Sequence, residues 1–446
     1  MSKITIDFGS SKGKIKPMNA VNNGPLAPDV RGTSNNELYK ALGIPYARNH
    51  DASFHTGYGG EHTVDVHRIF KNFDADENNP NSYVFQPTDE YVKNTFDTGT
   101  KVFYRLGASI EHGYKYGTYP PKDFHKWARI CEHIIRHYTE GWANGFNYDI
   151  EYWEIWNEAD CRNADGSNPC WQGTEEQFIE FYSVVAKYLK ECFPDIKIGG
   201  PAFMTPWRND FRKTFLNTVK ENNIPLDFYS FHSYAKTPRG IYEAAIEGNE
   251  ALKEAGIKNA ETILNEWNYV KGWLGEEWQH SLDAWKGIKG SSFITGTICA
   301  CQYSPLNMLM FYDASPSTMC SLFETDRPWV ALKGYYSFKM FGELFNLGNS
   351  VEVSCDDGEI YSAAAKSENK AAILLTYFAD EAVEESKKIT IDLKNLGISG
   401  NLKLTYYLLD EDNDSTLFKE ESISNTIELN VKLYSSYLIV FESQLK

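Results

Sequence analysis

The stretch TEEQFIEFYSVVAKYLKECFPDIKIGGPAF, residues 174–203, predicts an amphipathic helix followed directly by a buried strand. Thr174 and Gln177 have the spacing of a capping box at a helix start, and Pro194 marks the end of the helix. The apolar run KIGGPAF (197–203) after it has the length of a strand. The side chains between the two helix ends recur at steps of three and four residues, as on one face of a helix: Phe178, Phe181, Val185, Tyr188, Leu189 and Cys192.

The alternation of strand and helix extends in both directions along the chain. A second helical pattern covers residues 123–138. Together the repeats predict a closed (β/α)8 barrel, a TIM barrel of the α/β class, over residues 15–340. An open doubly wound sheet is the alternative, but the sequence lacks the Gly-rich first turn typical of that fold. With KIGGPAF, seven other apolar runs make up the eight predicted barrel strands. These seven are IKPMNAV (15–21), YARNHD (46–51), KVFYRLGAS (101–109), YWEIWNE (152–158), FYSFHSYA (228–235), TILNEWNY (262–269) and MLMFYDAS (308–315).

Beyond residue 340 the pattern changes to short, alternating, β-rich runs separated by turn residues. AAILLTYF (371–378) and SSYLIVFES (435–443) are two of these runs. A β-sandwich is therefore predicted for residues 341–446. The early run KITIDFG (3–9) has the same pattern, so residues 1–14 predict an N-terminal strand that joins the sandwich.

The composition limits the classes of protein to which this chain can belong. A hydrophobic content of 42% and a mean hydropathy of -0.47 are normal for a soluble globular enzyme. The net charge of -17 argues against binding to a nucleic-acid backbone. Because no run of about 18 apolar residues occurs, neither a membrane-spanning helix nor a membrane partner is expected.

The cysteine content and the N-terminal sequence indicate the cellular compartment. Eight cysteines in 446 residues do not make a disulfide scaffold. Cys161 and Cys170 flank the segment RNADGSNP; a disulfide between them is left open, although two free thiols fit a reducing compartment better. The N-terminus has no apolar signal segment, so a cytoplasmic protein is expected. A signal peptide removed before this chain begins would instead make it a secreted protein.

Four histidines cluster early in the chain, at His50, His55, His62 and His67. Their spacings match no strong metal-binding pattern. The segment HIIRH (133–137) also lacks the glutamate of a His-Glu-x-x-His motif. Neither a metal nor another cofactor is therefore predicted.

Two carboxylates stand where a barrel of this kind gathers its functional groups, at the C-terminal ends of the strands. Glu158 ends the fourth strand and Glu266 lies near the end of the seventh, each directly after an asparagine and among aromatic residues. Alternation along YWEIWNE places Glu154, Trp156 and Glu158 on one side of the strand. A buried carboxylate is costly without a partner, and a salt bridge to an arginine such as Arg48 is the structural alternative for either one alone. An opposed pair is what glycoside cleavage uses, as proton donor and nucleophile.

Four motifs resemble those of glycoside hydrolase family 39 of clan A, whose members include β-xylosidases and α-L-iduronidases. EIWNEAD (154–160) is similar to the family's strand-four run ending in Asn-Glu-Pro, with Ala159 in place of proline. TILNEWNY is similar to its strand-seven motif. ARNHD (47–51) and FHSYA (231–235) are similar to its Arg-x-His and His-x-Tyr motifs. The resemblance spans about residues 15–340, in the family's order of motifs.

The resemblance implies a role for each matching residue. Glu158 would be the acid/base and Glu266 the nucleophile of a retaining mechanism. Asn157 would bind the 2-hydroxyl of the cleaved sugar. Tyr234 would hydrogen-bond the nucleophile, and Arg48 would lie beneath it and hold its charge.

Further substrate contacts are expected around this pair. His50 and His232 would contact sugar hydroxyls, and Trp267 beside the nucleophile is another candidate. The eighth strand lacks the tryptophan platform of the family, and Tyr312 is expected to replace it.

The activity expected from the resemblance is that of an exo-acting, β-xylosidase-like hydrolase of plant-type oligosaccharides. The alternatives are a glycosidase acting on arabinose- or galactose-containing glycans and a catalytically inactive carbohydrate-binding barrel. A glycoside substrate is the only partner predicted, and a homo-oligomer is left open.

Overall fold

The computed structural model describes residues 2–28, 32–51, 62–110, 117–207, 210–316, 318–326, 328–398, 401–422 and 425–444. Eight parallel strands close into a barrel in the order in which they occur along the chain. The predicted TIM barrel is therefore confirmed. Its strands are β2 (Ala20–Asn22), β3 (Tyr46–Asn49), β4 (Lys101–Leu106), β5 (Tyr152–Ile155), β6 (Lys197–Phe203), β7 (Phe228–Ala235), β8 (Glu261–Tyr269) and β9 (Met308–Phe311).

Helices fill the connections between these strands and follow the last of them. Two 3-10 turns, Pro80–Ser82 and Trp142–Asn144, interrupt the longer connections. Among the described residues, none of the helices has both the length and the apolar content needed to cross a membrane. The helices are α1 (Asn36–Lys40), α2 (Val66–Ile69), α3 (Gln86–Asp97), α4 (Phe124–Thr139), α5 (Glu175–Cys192), α6 (Asp210–Glu221), α7 (Pro238–Glu254), α8 (Gly275–Lys286), α9 (Ile288–Gln302) and α10 (Lys333–Leu347).

The helix predicted after residue 174 begins and ends as its sequence indicates. The Thr174 hydroxyl accepts a hydrogen bond from the Gln177 backbone N–H (3.2 Å), and the Gln177 side chain accepts one from the Thr174 N–H (2.9 Å). The capping box is thus confirmed, and it satisfies two of the N–H groups that a helix start leaves free. Phe178, Phe181 and Val185 are fully buried on the inner face.

The barrel interior has an apolar floor. Aromatic and aliphatic side chains at the N-terminal ends of the strands form a separate buried cluster that includes Phe103, Tyr152, Phe228, Ile263 and Met308. Because this floor closes one end of the barrel, polar side chains can gather only towards the other end, where the strands finish.

The remaining strands form one nine-stranded sheet in the order β15-β14-β17-β12-β11-β10-β1-β13-β16. It curls around its own apolar core, consistent with the predicted β-sandwich. β1 lies between β10, to which it is antiparallel, and β13, to which it is parallel. The strands are β1 (Ser2–Lys14), β10 (Asn349–Cys355), β11 (Ile360–Lys366), β12 (Lys370–Tyr377), β13 (Ser386–Lys394), β14 (Asn401–Leu409), β15 (Asp414–Ser422), β16 (Thr426–Lys432) and β17 (Ser436–Gln444).

The junction between barrel and sheet lies later in the chain than the predicted boundary at residue 340, which falls inside α10. The sheet resumes only at Asn349. Asp380 connects the two parts, because its Oδ1 accepts hydrogen bonds from the Tyr269 hydroxyl (2.6 Å) and the Lys289 ammonium (2.7 Å).

Candidate active site

The backbone after β5 brings the Asn157–Glu158 pair to the mouth of the barrel. β5 ends at Ile155, and both Trp156 (φ 75°) and Glu158 (φ 49°) are left-handed. This conformation is strained for residues with a β-carbon and is typical of functional sites. Trp156 turns outward and packs edge-on against Trp171, with 5.1 Å between ring centroids. The alternation predicted from sequence, with Trp156 and Glu158 on the same side, is therefore wrong beyond Ile155.

A bulge in β8 places its glutamate. The register of β8 shifts against both neighbouring strands around Asn265. Ile263 and Asn265 face the barrel interior, and the extra residue brings Glu266 inward as well. Trp267 then points outward, fully buried against Phe293. Trp267 therefore does not line the site, contrary to the sequence prediction, because the bulge reverses the alternation that would have turned it inward.

Glu266 accepts a hydrogen bond from one hydroxyl and lies near two side-chain nitrogen atoms. The Tyr234 hydroxyl donates to Oε1 at 2.5 Å. Arg48 Nη1 and His232 Nδ1 each lie 3.5 Å from Oε2. Tyr234 and Arg48 thus both lie against Glu266, and the roles that the family resemblance implies for them stay predictions. A cation and a hydroxyl donor both favour the ionised carboxylate, which a nucleophile must be.

Glu158 and Glu266 both contact the same side chain, His232. His232 Nδ1 lies 2.8 Å from Glu158 Oε1, and the Cys170 thiol donates to Oε2 at 3.8 Å. The nearest carboxylate oxygens of the two glutamates are within 4.8 Å of each other. His232 therefore contacts the two carboxylates themselves, and its predicted contact with sugar hydroxyls stays a prediction.

Burial raises the pKa of both glutamates. The pKa of Glu158 rises to about 8, chiefly by burial and then by the nearby Asp160 carboxylate. Burial raises that of Glu266 to about 7, against the opposing effects of His232 and Arg48. The more basic carboxyl is thus Glu158, which keeps its proton when Glu266 has lost its own.

A polar layer lies directly beneath the two carboxylates, and its centre is Glu154. Glu154 Oε2 accepts a hydrogen bond from Arg48 Nε at 2.7 Å, and Oε1 accepts from the Ser230 hydroxyl and the Asn265 amide, each at 2.6 Å. Arg48 also donates to Asn157 Oδ1 at 2.7 Å. A charged residue inside a strand-like apolar run needs a buried partner, which the sequence indicates for Glu154 but does not name.

Removing the Glu154 carboxylate is expected to destabilise the barrel. Glu154→Leu leaves the fully buried Arg48 charge without its strongest partner, which costs about 3–5 kcal/mol of unfolding free energy. Urea denaturation followed by circular dichroism measures the change. The matched control Glu154→Gln retains hydrogen bonding and should lose less. Equal midpoints for wild type and Glu154→Leu would contradict a structural role for this ion pair.

The other predicted residues lie at the rim on the side of β3 and β9. The Tyr312 hydroxyl donates to Asp51 Oδ2 at 2.5 Å, and His50 Nε2 lies 3.4 Å from Asp51 Oδ1. Asn23 Oδ1 accepts hydrogen bonds from the backbone N–H groups of His50 (3.1 Å) and Asp51 (2.9 Å). Asn23 was not predicted as a site residue, because its only signal in the sequence is a polar residue directly after a strand. His55 lies outside the described residues.

Aromatic side chains border the site on the side of β8. Trp273, 56% exposed, meets the Tyr234 ring edge-on at 5.0 Å and stacks on Trp278 at 5.4 Å. Trp207 is also half exposed, whereas Trp171 is packed in the core. Exposed aromatic faces of this kind suit stacking on sugar rings.

Two groups of side chains among the described residues have metal-ligating atoms close together. One is Glu158, His232 and Glu266, and the other is Glu158, Cys161 and Cys170. The Arg48 guanidinium beside Glu266 opposes a cation in the first group.

Comparisons with known proteins agree with this geometry. A model of the family described as glycosyl hydrolases family 39 matches residues 6–281. A curated β-xylosidase from Caldicellulosiruptor saccharolyticus is 26% identical over 286 residues, which cover 57% of this chain and 53% of that protein. The chain thus spans about half the length of this curated relative.

Solved structures share the whole fold at low identity. The crystal structure of a glucosidase from Croceicoccus marinus matches with a TM-score of 0.80 and 18% identity, covering 100% of both chains. A monomeric β-xylosidase from Caulobacter crescentus CB15 matches with a TM-score of 0.71 and 14% identity, also over 100% of both chains. The family match covers more than half of the sequence, and the chain therefore belongs to the glycosyl hydrolases of family 39.

Proposed function

We propose that this chain is a retaining, exo-acting glycosidase that removes xylose or a similar sugar from the ends of plant-type oligosaccharides. The observation that carries the proposal is the short separation of Glu158 and Glu266, whose nearest oxygens lie within 4.8 Å. Retaining glycosidases hold their carboxyl groups about 5–5.5 Å apart, whereas inverting enzymes need about 6.5–9.5 Å to admit a water. Family membership and the name of the curated β-xylosidase relative support the choice of substrate.

The first half of the reaction forms a covalent intermediate. The Glu266 carboxylate attacks the anomeric carbon while Glu158 gives its proton to the leaving glycosidic oxygen. The aglycone leaves as an alcohol, and a glycosyl ester of Glu266 remains. The hydroxyl of Tyr234 and the charge of Arg48 keep Glu266 anionic before the attack.

The second half returns the enzyme to its starting state. Glu158, now a carboxylate, takes a proton from a water that attacks the same anomeric carbon and displaces Glu266. Two inversions give net retention. Asn157 is oriented for the sugar because Arg48 occupies its carbonyl oxygen, which leaves the amide N–H groups as donors for the 2-hydroxyl.

A panel of aryl glycosides tests the proposal. It comprises the xyloside, arabinofuranoside, arabinopyranoside, galactoside and glucoside, with proton NMR used to identify the anomer that is released first. The xyloside should be cleaved fastest, with the β-anomer formed first. A preference for an arabinoside or galactoside would support the alternative substrates. A folded chain that binds sugar but releases no aglycone from any member would contradict enzyme function.

The rate of hydrolysis should depend on pH as a narrow bell. The active form has Glu266 ionised and Glu158 protonated. Below about pH 7 the nucleophile gains a proton, and above about pH 8 the acid loses one, so kcat/KM falls on both sides. The profile is measured on an aryl xyloside, and the two limbs report the pair rather than either residue alone. A plateau that extends far below pH 7 would contradict the raised pKa of Glu266.

A further inference from the structure

Two thiols lie against the glutamate proposed as the acid/base. After β5 the chain makes a loop and returns, so that the sulfurs of Cys161 and Cys170 and a carboxylate oxygen of Glu158 all lie within 4.8 Å of one another. Both cysteines are free thiols and both are buried. The hydrolytic mechanism uses neither of them.

The loop holds both sulfurs in place through its own hydrogen bonds. The Cys161 backbone N–H donates to the Glu158 carbonyl at 2.9 Å. The Asn168 amide donates to the Ala159 carbonyl at 2.7 Å, and its Oδ1 accepts from the Cys170 N–H at 2.8 Å. Because the backbone on both sides of the thiols is fixed, their approach to Glu158 is built into the loop.

This set of ligands suits a soft divalent cation. Thiolate sulfur with one carboxylate oxygen is a combination that binds Zn²⁺ and its heavier relatives. A tetrahedral ion with Zn–S bonds of about 2.3 Å holds its two sulfurs about 3.8 Å apart. The two sulfurs lie within 4.8 Å of each other, which is compatible with this geometry. The side chain of Glu158 is 15% exposed, which gives an approach from the site.

The charged neighbours of this group in the loop are already paired. Asp160 follows Glu158 in the same loop and adds a further negative charge, which Arg212 neutralises by an ion pair. Arg162 is paired with Glu175 at 3.3 Å. The group formed by Glu158, His232 and Glu266 instead has the Arg48 guanidinium beside it, 3.5 Å from Glu266.

We propose that Cys161, Cys170 and Glu158 form an inhibitory site for a soft divalent cation such as Zn²⁺. Binding displaces two thiol protons and the Glu158 proton to solvent, with no change of oxidation state, and a water completes the fourth position. The effect on activity rests on the proposed function, because an occupied Glu158 cannot give a proton to the leaving oxygen.

Direct binding is tested with Co²⁺ in place of Zn²⁺, in the presence of a phosphine reductant that keeps the thiols reduced. The expected result is a sulfur-to-cobalt charge-transfer absorption with a stoichiometry of one ion per chain. Cys161→Ser and Cys170→Ser should each weaken binding more than about tenfold. Cys355→Ser, which removes an exposed thiol of β10, is the matched control and should keep the absorption.

The same measurement separates this site from the other candidate group. A Glu266→Gly variant should still bind cobalt with the same absorption. Loss of binding in that variant, with normal binding in both cysteine variants, would assign the ion to Glu158, His232 and Glu266 and overturn the proposal. The readout does not depend on turnover, so it decides the proposal even if the chain hydrolyses no glycoside.

Inhibition is then measured on an aryl glycoside, with each variant compared with its own rate without metal. Zn²⁺ should lower the rate of the wild-type chain at least about tenfold, and a chelator should restore it. The cysteine variants should need more than about tenfold higher Zn²⁺ for the same fractional inhibition. Equal sensitivity of wild-type and cysteine variants would overturn the assignment of the inhibitory site.

Discussion

Glu266→Gly abolishes hydrolysis of aryl glycosides, and added azide restores consumption of the substrate as a glycosyl azide of inverted configuration. The loss should be at least about 10⁴-fold in kcat, because the carboxylate that forms the glycosyl ester is missing. Azide fits the space of the missing carboxylate and attacks the anomeric carbon in a single displacement. The configuration of the product, read by proton NMR, is the decisive measurement.

The control for this variant lies on the same strand. Glu261→Gln changes a carboxylate at the start of β8 that pairs with Lys197 at 2.6 Å, on the far side of the apolar floor from the site. Its kcat should match the wild type. A glycosyl azide of retained configuration from the Glu266 variant would exchange the roles of the two glutamates.

Glu158→Ala should show a loss that depends on the leaving group. For substrates with a poor leaving group, kcat/KM falls by about 10²–10⁴-fold, because the departing oxygen no longer receives a proton. A dinitrophenyl glycoside needs no such proton, so formation of the glycosyl ester continues and its hydrolysis becomes limiting. Azide then attacks the ester on Glu266 and gives a glycosyl azide of retained configuration.

A pH profile and a control variant test the role of Glu158 further. The basic limb of the pH profile, near pH 8, should disappear for the dinitrophenyl substrate, because its leaving oxygen needs no proton from the glutamate pair. Glu151→Gln removes a carboxylate at the N-terminal side of the same strand that pairs with Lys197 at 2.7 Å, and it should leave the kinetics unchanged. An equal loss for good and poor leaving groups would contradict an acid/base role for Glu158.

Local patterns were sufficient to predict the architecture. Capping residues and apolar periodicity are set by neighbours a few positions away, so α5 begins at its capping box as the sequence indicates. The barrel follows because repeated strand–helix units have few other ways to bury their apolar faces. The candidate pair, Glu158 and Glu266, could be named because each stands at a strand end, and parallel strands of a barrel finish on one face.

Other features depend on contacts between distant residues, and no local pattern could predict them. The bulge at Asn265 and the left-handed residues after Ile155 reverse the expected alternation, which is why Trp267 and Trp156 face outward. The partners of Glu154 come from β3, β7 and β8, far away in sequence.

The sequence by itself determined that a barrel carries two carboxylates on one face, because strand ends and the order of strands are properties of the chain. Only the tertiary structure decided that Glu158 and Glu266 share His232, that Arg48 supports one of them from a buried ion pair, and that two thiols lie against the other. The physical reason is that side-chain direction, burial and pKa are set by packing across the barrel, where residues more than 100 positions apart come within hydrogen-bonding distance.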